Sequence, residues 1–259
     1  MELSFRILNE YLNKVDNVVL AISGGPDSMV LLDLFVKYRN VIPINIICAH
    51  VNHNLRKESN EEYKFIKEYC LRHNVTFEYY KIENYDGTFT EEKGRKYRYE
   101  FFEDILKKYN CKLLFTAHHG DDLIETMMMR VVRGSSLSGY SGFSIISNKK
   151  FYKIIRPLIY FSKEDLYNYL KSNKIPYVID SSNFNELYTR NRFRHNVLPF
   201  LKKEDSNVHK KFLKFSLMLK EYDNYVNKIA NKYLKKVYIN NELNIKMFKK
   251  IDKLIQKNI

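Results

Sequence analysis

The chain has 259 residues, which is enough for one substantial α/β domain with a smaller appendage. Its apolar content of 45% supports a buried core and excludes a collagen-like or disordered composition. No stretch approaches the roughly 20 continuous apolar residues of a membrane span, and the N-terminal residues lack the pattern of a signal peptide. We therefore expect a cytoplasmic protein that makes no use of a membrane.

The net charge of +14 is unevenly distributed along the chain. Residues 201–259 contain fifteen lysines and six acidic residues, so +9 of the charge lies there. This favours a polyanionic partner, although a lysine-rich genome would give the same bias. Cys48, Cys70 and Cys111 are widely spaced and form no Cys-x-x-Cys pair, which argues against a disulfide framework, a zinc site and an iron–sulfur cluster.

Hydrophobic periodicity predicts alternating strands and helices. In chain order we predict a helix over 3–13, strands over 18–22 and 41–51, a helix over 59–73, a strand over 76–82, a helix over 91–108, a strand over 112–117, and helices over about 123–132, over about 163–171 and after 199. A further helix starts after the loop that follows the first strand. This alternation predicts an α/β fold with a doubly wound, mostly parallel sheet. Ligands of such sheets bind at the carboxyl ends of the strands.

A glycine-rich loop, Ser23 to Ser28, follows the first predicted strand. Two consecutive glycines allow a sharp turn and bring backbone N–H groups close to an anion, and the following helix directs its positive end to the same place. Asp27 adds a carboxylate that could hold magnesium beside phosphate. The loop lacks the lysine of a Walker A motif. An ordinary strand-to-helix turn is the alternative interpretation.

A second polar cluster follows the strand predicted over 112–117. Asp121, Asp122 and Glu125 open the next helix, where their spacing allows them to share one face. Three close carboxylates favour a bound cation, either magnesium or an ammonium group, unless they only complement the helix dipole. His118 and His119 precede them and are read either as phosphate contacts or as packing at the strand end.

Two basic segments complete the candidate site. Glu91, Arg95 and Arg98 form one stripe of a helix, and the run from Arg190 to His195 has the character of a surface for RNA phosphates and stacked bases. A solvated ion-pair stripe and a generic basic loop are the competing interpretations. The small-residue stretch 133–142 is predicted to be a loop that can lie over a ligand.

Taken together, these motifs resemble those of the tRNA(Ile)-lysidine synthases, members of the PP-loop ATP pyrophosphatase superfamily. The matching segments, in family order, are Ser23-Gly24-Gly25-Pro26-Asp27-Ser28, His50-Val51-Asn52-His53-Asn54-Leu55-Arg56, Glu91-x3-Arg95-x2-Arg98-Tyr99, His118-His119-x-Asp121-Asp122-x2-Glu125-Thr126, Arg130-x2-Arg133-Gly134, Arg156-Pro157-Leu158, Asp180-x2-Asn183 and Arg190-Asn191-x2-Arg194. They cover residues 18 to 200. The loop alone would indicate only the superfamily, whereas the ordered set is specific.

The resemblance implies a two-step reaction on an isoleucine tRNA. ATP adenylates the C2 oxygen of the wobble cytidine of the CAU anticodon and releases diphosphate. The ε-amino group of free lysine then displaces AMP and forms lysidine. The implied cofactors are ATP and Mg²⁺, and the implied partners are tRNA(Ile) and free L-lysine, with a homodimer also compatible.

The resemblance also assigns roles to individual residues. The catalytic residues would be Asp27, Asp122 and Glu125, with Asp27 on the metal. The ATP-binding residues would be Ser23, Gly24, Gly25, Pro26, Asp27, Ser28, His50 and His118. Lysine would contact Asp122, Glu125 and Arg95. The tRNA and the leaving diphosphate would contact Arg56, Arg98, Arg130, Arg133, Arg190 and Arg194.

The expected organisation is a catalytic PP-loop domain over residues 1–200 and a lysine-rich helical extension over 201–259. The chain ends near the point where the carboxy-terminal tRNA-binding domains of the family begin, so we expect a short form or a fragment. Two alternatives stay open: another PP-loop tRNA-modifying enzyme, and a non-catalytic RNA-binding derivative. A cytidine 2-thiolase would need paired cysteines, which this sequence lacks.

Overall fold

A computed structural model describes residues 2–12, 17–54, 59–85, 88–179, 189–239 and 242–259. Its centre is a six-stranded sheet in the order β3-β2-β1-β4-β6-β5. The strands are β1 (Asn17–Ala21), β2 (Asn45–Asn52), β3 (Thr76–Lys81), β4 (Leu113–Phe115), β5 (Ile146–Asn148) and β6 (Lys153–Ile155). Every pair is parallel except β5 with β6. The predicted doubly wound, mostly parallel sheet is therefore confirmed.

Helices flank the sheet and continue beyond it. They are α1 (Glu2–Leu12), α2 (Pro26–Tyr38), α3 (Ser59–Arg72), α4 (Glu91–Lys108), α5 (Gly120–Arg133), α6 (Leu137–Tyr140), α7 (Lys163–Asn173), α8 (Thr189–Arg192), α9 (Leu198–Glu204), α10 (Val208–Val237), α11 (Ile245–Phe248) and α12 (Lys253–Gln256). A π-helix, Phe193–Val197, joins α8 to α9, and a two-stranded hairpin of β7 (Tyr238–Ile239) and β8 (Glu242–Leu243) follows α10. None of the helices within the described ranges is long and apolar enough to cross a membrane.

The core lies between the central strands and α2. Val18, Val19 and Leu20 of β1 are fully buried, as expected for a strand covered on both faces. Phe35 of α2 packs edge-to-face against Phe115 of β4, with 4.7 Å between ring centroids. This contact packs the C-terminal half of α2 against the end of β4.

The strand order places a topological switch point at the centre of the sheet. The chain passes from β1 outwards to β2 and β3 and then returns to add β4 on the other side of β1. The segments that leave β1 and β4 therefore diverge from adjacent strand ends. This crevice is where ligands bind in open α/β sheets.

Several boundaries differ from the predicted ones for local reasons. The strand predicted over 41–51 begins only at Asn45, since Pro43 cannot donate to a central ladder. The helix predicted from about 123 begins at Gly120, because His119 caps it. The strands β5 and β6 have three residues each and were not predicted.

The lysine-rich C-terminal part is helical, as predicted. The first half of α10 packs against α5 and α6. The hydroxyl of Ser216 donates to the carbonyl of Ser141, and the ammonium of Lys220 donates to the carbonyl of Phe143 at 2.8 Å. The α10 helix is thus attached to the small-residue stretch that follows α5, which was predicted to be a loop but contains the short helix α6.

Candidate functional site

The glycine-rich loop closes on itself through Ser28. The Ser28 hydroxyl donates to the carbonyl of Gly25 at 2.9 Å and accepts from the backbone N–H of Ser23 at 3.2 Å. Gly24 has a φ of +85°, which is a left-handed conformation that favours glycine. Pro26 is the first residue of α2, where its missing N–H costs nothing. The loop is thus pre-shaped before any ligand arrives.

We expect Gly24→Ala to destabilise the protein and Gly25→Ala to leave it nearly unchanged. At Gly24 the positive φ costs about 1–2 kcal/mol for an L-residue, and a Cβ would lie 3.1 Å from Ile66. At Gly25, φ is −70° and the nearest atom to a Cβ is the Ser23 hydroxyl at 3.5 Å. Urea unfolding of both variants measures the difference. Equal losses in the two variants would contradict this account of the loop.

The segment after β4 meets this loop at His119. The Asp122 carboxylate accepts from the backbone N–H of His119 at 3.0 Å and so caps the start of α5. The Nε2 of His119 lies 3.7 Å from the carboxylate of Asp27 and 3.5 Å from that of Asp122. One buried imidazole therefore lies between the carboxylates of the two loops.

Two arginines neutralise the acidic pair of α5. Arg190 donates to Asp122 and to Glu125, each at 2.7 Å, and Arg194 donates to Glu125 at 2.7 Å. The Glu125 side chain is only 1% exposed, whereas both guanidinium groups are about one-third exposed. The structure thus supplies positive charge to Asp122 and Glu125 from α8 and the π-helix. From the sequence, these arginines are predicted to contact RNA or diphosphate.

Asp121 is separated from that pair. Its carboxylate accepts from the backbone N–H of Lys163 at 2.9 Å and from the ammonium of Lys202 at 2.5 Å. These contacts connect the start of α5 to the start of α7 and to α9. The three carboxylates therefore do not form one cluster, because Asp121 faces away from the arginines.

The two adjacent histidines titrate in opposite directions. Burial lowers the pKa of His118 to about 3, and the charges of Arg156, Arg190 and Arg98 act in the same direction. Burial also opposes the charged form of His119, but Asp122 and Asp27 outweigh it and raise its pKa. His118 is thus a neutral side chain against Thr116 and Phe143, and His119 is an ion-pair partner.

We expect His118→Gln to remove part of the acid sensitivity of the fold. The unfolded chain binds a proton at His118 below its ordinary pKa of 6.5, whereas the folded chain does so only near 3, so stability falls as pH falls through this interval. The loss at His118 amounts to about 2 kcal/mol between roughly pH 7.5 and pH 5. Urea unfolding at both pH values measures it. An unchanged loss in the variant would contradict a His118 that is held neutral in the folded chain.

The matched variant is His119→Gln. In the parent chain the raised pKa of His119 stabilises the fold below pH 6.5. That stabilisation is lost as the pH rises through the higher pKa of the folded state. We therefore expect this variant to flatten the loss of stability on the alkaline side instead.

The other residues assigned to ATP and lysine lie at different depths. His50 is buried, and its Nδ1 is 2.9 Å from the carbonyl of Ile22, directly before the loop. Burial lowers the pKa of His50, so it is held neutral. Arg95 is exposed on α4 and stacks over the ring of Tyr99.

The predicted phosphate-binding arginines lie in different surroundings. Burial lowers the pKa of Arg98, and the charges of Arg95 and Arg190 act in the same direction. Arg130 instead donates to the carbonyls of Gly139 and Gly142, each at 2.7 Å, and holds the small-residue loop. Arg133 is exposed. The remaining motif residues, Arg56, Asp180 and Asn183, lie outside the described residues.

Asp27 has the chemistry of a single magnesium ligand. Its carboxylate lies at the start of α2, and burial is outweighed by His119 and Lys163, which lower its pKa and keep it ionised. Mg²⁺ is commonly bound by one or two carboxylates together with substrate phosphates. Among the described residues no group of three or more His, Cys, Asp and Glu side chains could hold a metal on its own. Asp27 therefore fits a site that needs the phosphates.

A family model described as a PP-loop domain matches residues 3–201 of the chain. The chain belongs to the PP-loop family. This membership implies that the 23–28 loop, the PP-loop, serves ATP binding. It also explains why a loop without a Walker lysine lies at the switch point of the sheet.

Curated relatives of the chain carry the name tRNA(Ile)-lysidine synthase, which confirms the resemblance seen in the motifs. One from Bacillus thuringiensis subsp. konkukian is 38% identical over 237 residues, covering 88% of this chain and 49% of the relative. Another, from Geobacillus kaustophilus, is 32% identical over 252 residues, covering 93% of this chain and 54% of the relative. The chain spans about half the length of the curated relatives it matches.

A solved structure with the same fold is the U34-tRNA thiolase NcsA from Methanococcus maripaludis with its [4Fe-4S] cluster. It has a TM-score of 0.72 at 18% identity and covers 85% of this chain and 78% of that chain. This likeness concerns the fold. In the present chain Cys48, Cys70 and Cys111 are all buried, and burial together with Cys70 raises the pKa of Cys48.

Two contacts of the candidate site cannot be predicted from the sequence. The ammonium of Lys163 donates to both carboxylate oxygens of Asp27, and the ammonium of Lys202 donates to Asp121. From the sequence, Lys163 is predicted only as the start of a helix. No pattern in the sequence connects either lysine to its carboxylate, because the partners are 136 and 81 residues apart.

Proposed function

We propose that this chain is the catalytic part of a cytoplasmic tRNA(Ile)-lysidine synthase, with catalysis in residues 1–200 and an extension over 201–259. ATP would transfer its AMP moiety to the C2 oxygen of the wobble cytidine, with release of diphosphate. The ε-amino nitrogen of free lysine would then bond to C2, the C2–oxygen bond would break, and AMP would leave. The lysine ammonium would lose one proton to a carboxylate of the site before the attack and a second proton to solvent after the C–N bond has formed.

The observation that carries this proposal is the position of a buried acidic pair beside the PP-loop. Asp122 approaches Asp27 through the shared His119, and Asp122 and Glu125 are both in contact with cationic groups at 2.7 Å. This place stabilises positive charge within reach of the nucleotide site. The names of the curated relatives support lysine as the amine that uses it.

The substrate ammonium would take over contacts that Arg190 and Arg194 now make. These arginines would then turn towards phosphate, either of the leaving diphosphate or of the tRNA, for which a guanidinium is the preferred donor. Arg98 would join them on the cationic side of the site. Arg95, on α4, would serve the lysine at its other end.

The two carboxylates would have different tasks. Burial raises the pKa of Asp122, but His119 and Arg190 lower it far more, so Asp122 stays ionised and would hold the ammonium. We assign the acceptance of the lysine proton to Glu125, the more enclosed of the two carboxylates, after the substrate ammonium has displaced Arg190 and Arg194 from it.

At the PP-loop, backbone N–H groups and the α2 terminus would hold the phosphates. Asp27 would hold Mg²⁺ together with those phosphates, and the ion would supply neutralisation of the diphosphate charge. His118 is neutral and would contribute a hydrogen bond and no charge.

The proposal is tested by incubating the chain with tRNA(Ile), radiolabelled lysine and ATP. We expect label in the tRNA, with AMP and diphosphate formed in equal amounts and no ADP. Binding of tRNA without turnover would favour a non-catalytic derivative. Cleavage of ATP to AMP without label in the tRNA would indicate another PP-loop tRNA-modifying enzyme.

A further inference from the structure

The PP-loop itself carries no cation, although it must meet a polyphosphate. Its sequence from Ser23 to Ser28 holds one carboxylate and no basic residue. The structure brings a cation there from another element: the Nζ of Lys163 lies 2.7 and 2.8 Å from the two carboxylate oxygens of Asp27. Asp27 is the second residue of α2, so this ammonium lies at the mouth of the loop.

Lys163 is held in this place at several points. It is the first residue of α7, and Ser162 and Asp165 form a capping box around that start. Its backbone N–H donates to Asp121 at 2.9 Å, and its Nζ lies 5.2 Å from the ring centroid of Tyr167. These contacts therefore fix both the backbone of Lys163 and the direction of its side chain.

The chain that follows α7 also contacts the loop. The backbone N–H of Val178 donates to the carbonyl of Gly24 at 3.0 Å. The α7 segment thus borders the PP-loop at two points, at Gly24 and at Asp27. The Lys163 side chain is 32% exposed, so its ammonium is open to a ligand while it contacts Asp27.

We propose that Lys163 is a phosphate-binding residue of this site, the functional substitute for the lysine that the loop lacks. An ammonium is a compact donor that suits the terminal phosphates of a nucleotide. It would keep one contact to Asp27 and give another to a β- or γ-phosphate oxygen, and would then hold the diphosphate when the bond to AMP breaks. This inference rests on ATP as the ligand and needs neither tRNA nor lysine.

The competing interpretation is that Lys163 only neutralises Asp27 and attaches α7 to α2. The two are distinguished by comparing nucleotides. A phosphate contact concerns ATP and diphosphate but not AMP, whereas a structural attachment would affect every nucleotide alike.

The test is equilibrium binding of ATP, diphosphate and AMP with Mg²⁺ to the whole chain, measured for Lys163→Met, Lys163→Arg and Lys171→Met. The last is a matched control, an exposed lysine in the final turn of the same helix. We expect Lys163→Met to weaken ATP and diphosphate by about 10- to 100-fold, the range for losing one charged hydrogen bond, and AMP by less than about twofold. Lys163→Arg should recover most of the loss, and the control should match the parent chain.

Equal weakening of ATP and AMP would overturn the proposal in favour of a structural role. Unchanged ATP binding in Lys163→Met would overturn it as well. These binding constants can be measured even if the chain does not transfer lysine to tRNA. The two proposals are therefore tested independently. A melting curve of each variant shows that the compared proteins are folded.

Discussion

The Glu125→Gln variant is expected to lose lysine transfer by about 100-fold or more in the lysine-dependent kcat/KM, because an acid–base group and a charged hydrogen bond are removed together. Glu125 is more deeply buried than Asp122, and the guanidinium groups of Arg190 and Arg194 both form ion pairs with it. The amide is nearly isosteric, yet it can neither accept the lysine proton nor balance Arg190 and Arg194. Initial rates over a series of lysine concentrations measure the effect.

The same substitution should also lower stability, by about 1–3 kcal/mol. The value is below that of a fully buried ion pair, because water reaches both arginines. ATP binding serves as the internal check, since the hydrogen bonds of Glu125 are with Arg190 and Arg194 and not with the PP-loop. The control is Glu164→Gln, an exposed acid in the first turn of α7. Normal lysine transfer by folded Glu125→Gln would remove the acidic pair from the mechanism.

The Asp27→Asn variant is expected to cleave ATP about 100-fold or more slowly than the parent chain. This exceeds the usual effect of removing a residue that only positions a metal ligand. Asp27 is the carboxylate at the loop, and its ionised state is maintained by His119 and Lys163. The amide leaves those two cations without their partner and offers magnesium a weaker ligand. Formation of AMP from ATP in the presence of tRNA measures the effect.

The matched control is Asp33→Asn in the same helix. Asp33 is buried and accepts from Tyr169 at 2.6 Å and from Lys37 at 3.0 Å, so it connects α2 to α7 away from the loop. We expect this variant to be less stable but to cleave ATP normally once folded. If both variants lost activity equally, the role of Asp27 would reduce to the packing of α2.

The sheet and its order of elements were accessible from the sequence because local signals agreed with the fold. The run Val18 to Ile22 could be read as a strand buried on both faces, and the helix over 91–108 has the predicted bounds. The strands β5 and β6 escaped, because three residues are too few to show a period. Tertiary pairing with β4 defines them instead.

Only part of the candidate site could be predicted from the sequence. Its carboxylates could be found, because Asp122 and Glu125 lie in one short motif after a strand. Their partners could not, since Arg190 and Arg194 are 65 to 69 residues away in sequence and their run is equally typical of an RNA surface. The orientation of Asp121 likewise depends on Lys202, which no local pattern indicates.

The most direct test of the account locates the modification in the RNA. The chain is incubated with ATP, lysine and tRNA(Ile) bearing a CAU anticodon, and the RNA is digested to nucleosides and examined by mass spectrometry. We predict conversion of the wobble cytidine to lysidine, with every other cytidine unchanged and no conversion in tRNA whose wobble base is uridine. Unmodified wobble cytidine after ATP has been cleaved to AMP, or sulfur at that base, would contradict the proposed function.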